Sequence, residues 1–261
     1  NILVTAHTGA GKTSLALYGI AKWLKENKQV IYTSPIKTLS NQKYDELKNI
    51  FDDVGIMTGD IKMNPDAQII VMTTEILRNI LYKNGNESIQ PEHIGYVVFD
   101  EVHYIGDADR GSVWEQSILL LPPQVQLIML SATIEKPEIF AEWLENEKNK
   151  GLESSEKKQL YMTTTYDRVV PLTHYLWTTC PNSVIQSHKG TPMEYKLKEV
   201  INKPLQVASS GGAFNDSNYY KTAKILDYFF KNKINVKRQF VINDLVSYLN
   251  RNNMLPAICF I

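Results

Sequence analysis

Short apolar runs recur along the first half of the chain, separated by longer stretches with apolar residues at helical spacing. The runs cover residues 2–5, 30–33, 54–57, 69–72, 96–99 and 126–130. They are rich in Val, Ile and Tyr and show no polar alternation, the pattern of strands buried on both faces of a sheet. Between them, residues 13–26, 37–51, 74–83, 112–121 and 136–145 carry helical periodicity. Strand–helix alternation of this kind predicts an α/β fold with a doubly wound parallel sheet over residues 2–144.

The pattern then breaks. Residues 145–158 (ENEKNKGLESSEKK) are almost wholly polar and are expected to be a solvent-facing helix end and loop. Residues 160–165 and 172–178 are β-rich with Pro171 between them, which predicts a hairpin or two extended segments. Residues 182–218, rich in Ser, Asn, Gly and Lys, read as a mobile insertion or linker. Helices are expected at 219–230 and 243–250, and a strand opening a further sheet at 257–261.

Composition narrows the classes. The 261 residues are 43% hydrophobic and 21% charged, which is globular. Lys plus Arg number 28 and Asp plus Glu 28, so a chain held on nucleic acid by net charge alone is excluded, whereas a local basic groove is not. Two cysteines, Cys180 and Cys259, exclude a disulfide scaffold and a Cys-rich zinc site. They read as reduced thiols of a soluble, intracellular protein. The apolar runs are too short to span a bilayer, so no membrane partner is expected. No signal peptide is visible, and Asn1 opens directly onto an apolar run, as in a chain that starts inside a larger protein. His7, His93, His174 and His188 lack metal-ligand spacing, and no zinc is expected.

Two strings carry chemistry. Ala6-His-Thr-Gly-Ala-Gly-Lys-Thr-Ser14 follows an expected strand and opens an expected helix, the context that makes a glycine-rich string a phosphate site. Thr8, Gly9, Ala10, Gly11, Lys12, Thr13 and Ser14 form the candidate cradle. Its glycines let backbone N–H groups converge on an anion, and the helix N-terminus adds its dipole. Lys12 is expected to reach the β and γ phosphates of ATP, and the Thr13 hydroxyl to ligate Mg2+. Ala6 stands where the general loop pattern has Gly. The bland alternative is a chance Gly-Lys-Thr turn.

The second string, Tyr96-Val-Val-Phe-Asp100-Glu101-Val102-His103, places two acids at a strand's C-terminal end, the edge where open α/β sheets hold ligands. Asp100 is expected to hold Mg2+, and Glu101 to activate the water that attacks the γ-phosphate. Alone, an apolar run ending in Asp-Glu is also an ordinary strand-to-loop turn. Trp114, Trp143, Tyr96 and Phe99 are read as core.

Asp100-Glu-Val-His103 is a DExH box, and further strings fall in order around it. They are residues 33–44 (TSPIKTLSNQKY), 73–78 (TTEILR), Gly59-Asp60, Asp109-Arg110-Gly111, Val113-Trp114-Glu115, Ser131-Ala132-Thr133 and 168–175 (RVVPLTHY). Together they resemble the superkiller/exosome-cofactor branch of the DExH RNA helicases. The resemblance is dense over residues 2–134, continues to Trp177, and returns at 254–261.

The resemblance implies a RecA-like lobe at 1–150, an interlobe hairpin or linker at 151–180, an insertion or linker with helix at 181–242, and the start of a second RecA-like lobe at 243–261. It implies ATP hydrolysis coupled to 3′-to-5′ movement on single-stranded or partly duplex RNA, in RNA processing or decay. Glu101, Lys12 and Asp100 would be catalytic. His103, Ser131 and Thr133 would couple hydrolysis to strand movement, with the hydroxyls bonding His103. Pro35, Lys37, Asn41, Gln42, Thr74, Glu75 and Arg78 would grip RNA phosphates, although each taken singly is an ordinary surface or helix residue. RNA-decay partner proteins are not specified. A DNA helicase, or an ATP-binding subunit without turnover, are the alternatives. The arginines expected from a second lobe lie beyond Ile261, so this chain alone is expected to be nearly inactive.

Overall fold

In the computed structural model, residues 1–261 are described except Thr133, Val169 and Ile261. Two compact units divide the chain, Asn1–Val169 and Val170–Ile261. In the first, the elements run β1 (Ile2–Ala6), α1 (Lys12–Leu24), β2 (Gln29–Ser34), α2 (Lys37–Lys48), β3 (Val54–Met57), β4 (Lys62–Met63), β5 (Ile69–Thr73), α3 (Thr74–Tyr82), β6 (Ile94–Phe99), α4 (Gly111–Leu120), β7 (Gln126–Ser131), α5 (Pro137–Lys148) and β8 (Tyr161–Thr165). A 3-10 turn at Val102–Gly106 follows β6.

The sheet has eight strands in the order β4-β3-β5-β2-β6-β7-β1-β8. All described pairings are parallel except the β3–β4 hairpin. Strand alternation assigns the two faces. Val30, Tyr32, Tyr96, Val98, Ile128 and Leu130 pack with Ala16 and Ile20 of α1 and Leu47 of α2. Ile31, Val97, Phe99, Leu127 and Met129 face the other way, onto α3, α4 and α5 through Leu77, Trp114, Ile118 and Leu144. Both faces are covered, so the strands read as unbroken apolar runs.

The sheet reaches past residue 150. β8 joins it beside β1, with Ile2 opposite Tyr161 and Ala6 opposite Thr165. The two β-rich segments are therefore separate and not a hairpin: the second holds β9 (His174–Leu176), which pairs antiparallel with β10 (Leu205–Ala208). β8 is an edge strand with exposed Tyr161 and Met162, so it lacks the apolar run that marks its neighbours.

The polar run 145–158 is not wholly solvent-facing. Lys148, at the end of α5, is 8% exposed, and its Nζ donates to the carbonyls of Leu121 (2.6 Å) and Ile118 (3.4 Å). These carbonyls lie at the C-terminal end of α4, where a cation satisfies groups that have no partner within the helix.

The second unit contains α6 (Asn182–Gln186), α7 (Pro192–Val200), α8 (Asp216–Lys231) and α9 (Arg238–Arg251) besides β9 and β10. The segment read as an insertion or linker is largely structured. Leu197, Val200 and Ile201 recur at helical spacing within a polar background and pack with Cys180, Ile225 and Phe229. Residues 257–260 are exposed and form no strand.

Candidate functional site

The carboxyl ends of the parallel strands lie along one edge of the sheet, and the strand order fixes which loops meet there. From one end, the edge carries Gly59 and Asp60 after β3, Thr74 and Glu75 after β5, Pro35 and Lys37 after β2, Asp100 and Glu101 after β6, Ser131 at the end of β7, and the glycine-rich loop after β1. The two strings that looked phosphate-directed are thus separated by one strand, β7.

The glycine-rich loop turns at Gly9 (φ 84°) and Gly11 (φ 81°), left-handed conformations that a side chain would strain. A Cβ at either would meet nothing within 4 Å, so the loop bounds open space. Ala10 N donates to His7 O at 3.2 Å, closing the turn. Gly11 is the N-cap of α1, and Thr13 and Ser14 lie in its first turn, where the Ser14 N–H donates to Gly11 O at 3.0 Å and the N–H groups before it have no carbonyl of an earlier helical turn to bond. Lys12 Nζ folds back to donate to the carbonyls of Ala6 (2.6 Å) and His7 (3.2 Å). A cation held over the loop by backbone carbonyls fits a phosphate ligand. Thr8 is exposed at the loop's tip.

Asp100 follows β6, and its backbone N–H continues the ladder to Thr33 O at 2.9 Å. Its carboxylate is held on both sides. Oδ2 accepts from the Tyr32 hydroxyl at 2.6 Å, and Oδ1 from the Glu101 N–H at 3.0 Å. Tyr32 is fully buried; that burial, with the Asp100 charge beside it, pushes its phenol well above the usual range, so it stays a donor. Glu101 leaves the strand in a left-handed conformation (φ 52°, ψ 45°), which costs on the order of 1 kcal/mol for a residue with a Cβ. A hydroxyl at Thr13 and an oriented carboxylate at Asp100 are hard oxygen donors, the chemistry that suits Mg2+.

His103 Nδ1 lies 3.2 Å from Glu101 Oε2, but it is not aimed as a hydrogen bond and has no hydrogen-bond partner among the described residues. Its ring tilts against Tyr104, centroids 5.1 Å apart. Ser131 is fully buried, and its Oγ also has no partner among the described residues. The expected Ser131–His103 bond is therefore not made: the histidine is turned toward Glu101 and Tyr104. Thr133 lies outside the described residues.

Along the other half of the edge, a cleft of about 480 Å³ is lined by Pro35, Lys37, Gly59, Glu75, Ile76 and Arg110, among others. Lys37 pairs with Asp60 at 2.5 Å in an exposed position. Arg110 donates to Pro35 O and to Glu75 Oε1. Thr74 does not offer its side chain to the cleft; it is fully buried and donates to Ser34 O at 3.5 Å. Asn41 is half-buried with an unpartnered Oδ1, whereas Gln42 is exposed and bonded to Glu46 at 2.7 Å. Arg78 is bonded to neighbouring Asn79 through Nε and Nη2 at 3.3 and 3.0 Å. Sequence reasoning gave no role to Tyr32, Asp60 or Arg110. Asp60 and Arg110 stood inside quoted strings, but the signal for Tyr32 was only a tyrosine in an apolar run.

A phosphate loop after β1, an oriented acid pair after β6 and a covered parallel sheet define a P-loop nucleotide-binding lobe of the RecA-like kind. The family model for DEAD/DEAH box helicases matches residues 1–140. The chain belongs to that family. It is 47% identical over 178 residues to superkiller complex protein 2 of Homo sapiens, covering 68% of this chain and 13% of that protein. It is 48% identical over 237 residues to exosome RNA helicase MTR4 of Homo sapiens, covering 87% of this chain and 22% of that protein. These relatives bear out the resemblance seen in the motif order. The chain spans about a fifth or less of their length. A crystal structure of the DUF1998 helicase MrfA bound to DNA matches 63% of this chain and 23% of that one, with a TM-score of 0.51 and 21% identity, a likeness of fold. No helix among the described residues is long and apolar enough to cross a membrane.

Proposed function

We propose that this chain is the ATP-binding lobe of an ATP-dependent RNA helicase that couples hydrolysis to 3′-to-5′ translocation on RNA and its unwinding, in RNA processing or decay. The observation that carries this is the order of loops along one sheet edge. The phosphate loop and the acid pair flank the end of β7, and the next strand ends lead into the cleft at Pro35, Lys37 and Glu75. In this reading one sheet edge carries a nucleotide site and a strand site side by side. The names and close identity of the relatives support the choice of RNA as substrate.

In this reading Lys12 and the N–H groups of residues 8–14 hold the ATP phosphates. Thr13 and Asp100 hold Mg2+, which supplies charge neutralisation at the phosphates. Tyr32 keeps the Asp100 carboxylate in place, and Glu101 accepts the proton of the attacking water. Residues 1–150, extended by β8, form the first lobe. In the same reading residues 243–261 belong to the opening of a second RecA-like lobe.

The test uses Glu101→Gln in the full-length protein. The amide keeps the shape of the carboxylate but is not a base. Mg-ATP affinity should stay within about twofold of wild type, while RNA-stimulated hydrolysis falls by about a hundredfold or more. A parallel loss of binding and turnover would make Glu101 a binding residue. Strand displacement compared on RNA and DNA duplexes decides the substrate.

A further inference from the structure

The guanidinium of Arg110 is the junction between segments far apart in sequence. It donates to Pro35 O, after β2, and to Glu75 Oε1, in the first turn of α3 after β5. Its Cζ lies 5.6 Å from the Trp114 ring centroid and 5.9 Å from that of Tyr104, and those two rings stack at 5.8 Å. Trp114 is fully buried, so the aromatic base of this stack is fixed. The Arg110 backbone is anchored as well: Asp107 Oδ1 accepts from its N–H at 2.9 Å. Tyr104 in turn touches His103, which faces Glu101.

We propose that Arg110 is a positioning residue that sets the spacing of the two strand-binding segments, with Glu75 as its counter-ion and not a contact to the nucleic acid. The inference rests on the RNA-binding reading above. A carboxylate in a phosphate-binding cleft repels its ligand; paired with a guanidinium it is neutralised and can still hold a loop. Both bonds leave one nitrogen, Nη2, while the delocalised guanidinium plane lies against the Trp114 and Tyr104 rings, a stacking that a compact, strongly hydrated lysine ammonium does not reproduce. The same side chain ties the cleft to the turn that follows Glu101.

Single-stranded RNA affinity, measured at several salt concentrations with wild type, Arg110→Met, Arg110→Lys, Glu75→Ala and the Met/Ala double variant, tests this. Each single change should weaken binding by about tenfold with the salt slope of wild type. Lysine should not rescue, and the double variant should bind no worse than Arg110→Met. Glu75→Ala is the sharpest arm, because removing a negative charge from the cleft would strengthen binding on electrostatics alone. The slope does not depend on the folded fraction, so a misfolded variant does not imitate the result. A slope reduced by about 0.7 in Arg110→Met would make the arginine a phosphate contact. Rescue by lysine, additive losses, tighter binding by Glu75→Ala, or wild-type affinity throughout would each overturn the proposal. Wild-type protein that binds no RNA would overturn the functional reading along with it.

Discussion

Single side chains at the nucleotide end of the edge have separable roles. Among the described residues Lys12 Nζ bonds to the backbone carbonyls of Ala6 and His7, so its removal breaks no side-chain contact in the core. Lys12→Ala should leave the unfolding midpoint within a few degrees of wild type and lower ATP affinity by at least about tenfold, as nucleotide titration and thermal melts will check. Tyr32 acts one step removed. Tyr32→Phe keeps the buried ring and deletes the donor to Asp100 Oδ2. It should raise the Mg-ATP concentration for half-maximal hydrolysis by about tenfold, the size of one hydrogen bond to a charged group, with ATP affinity in the absence of Mg2+ little changed. Equal losses with and without the metal would place the tyrosine in packing and not in metal binding.

At the scale of elements, two joints hold the site-bearing segments. Gly111 opens α4 directly against the turn that carries His103: a Cβ there would meet Ile105 O at 2.2 Å, a backbone atom that cannot swing aside. Gly111→Ala should destabilise the protein by about 1–3 kcal/mol in denaturant unfolding, through a forced shift of that turn. The other joint is Lys148 on the carbonyls at the end of α4. Burial, with Lys158 nearby, lowers its pKa to about 8, against 10.5 for a free lysine. The folded state therefore binds fewer protons than the unfolded chain between those two values, and the cost of the buried charge is relieved as pH rises through that window. Stability measured relative to Lys148→Met should shift in favour of wild type between pH 7.5 and 10, by roughly 2 kcal/mol. A difference that stays flat with pH would mean that the folded and unfolded chains bind the same protons across this window, so that burial does not lower the lysine's pKa.

Across the whole chain, net charge is zero, so the RNA affinity proposed above must come from local arrangement. Lys37 is held by Asp60 at the rim of the cleft, an exposed pair that contributes little to stability. Its consequence is competition: a phosphate that takes Lys37 must displace Asp60. Asp60→Asn should tighten single-stranded RNA binding by a few-fold and steepen the salt dependence, while Lys37→Ala should lower the slope by about 0.7. Because phosphate contacts carry no base information, affinity should be nearly the same for different sequences. Fluorescence titration of two or three unrelated oligonucleotides over a salt series measures both quantities.

Much of this was legible along the chain. Unbroken Val- and Ile-rich runs are what burial on both sheet faces requires, and they located β1, β2, β3, β5, β6 and β7 to within two residues at each end. Gly9, Gly11 and Lys12, between a strand and a helix, located the left-handed turn that opens α1, because that conformation is a local property. Contacts between distant segments were not legible. β8 carries too few apolar residues to announce itself, and only its ladder to β1 makes it a strand of the sheet. Polar composition hid α7, whose three apolar residues matter only once Ile225 and Phe229 are packed against them. Lys148 looked like one more charge in a solvated run until the end of α4 arrived to take it. Tyr32 drew no reading because an apolar run does not say where a hydroxyl ends, and Arg110 joined Pro35 to Glu75 only after strand order made β2 and β5 neighbours. Side-chain periodicity and backbone freedom, both properties of the sequence, set which segments become strands and helices and where the chain turns through Gly9 and Gly11 at a strand end. The tertiary structure alone decided strand order, and with it which loops share an edge, which charges are neutralised and which polar atoms are left without partners, because those depend on distances that no spacing along the chain encodes.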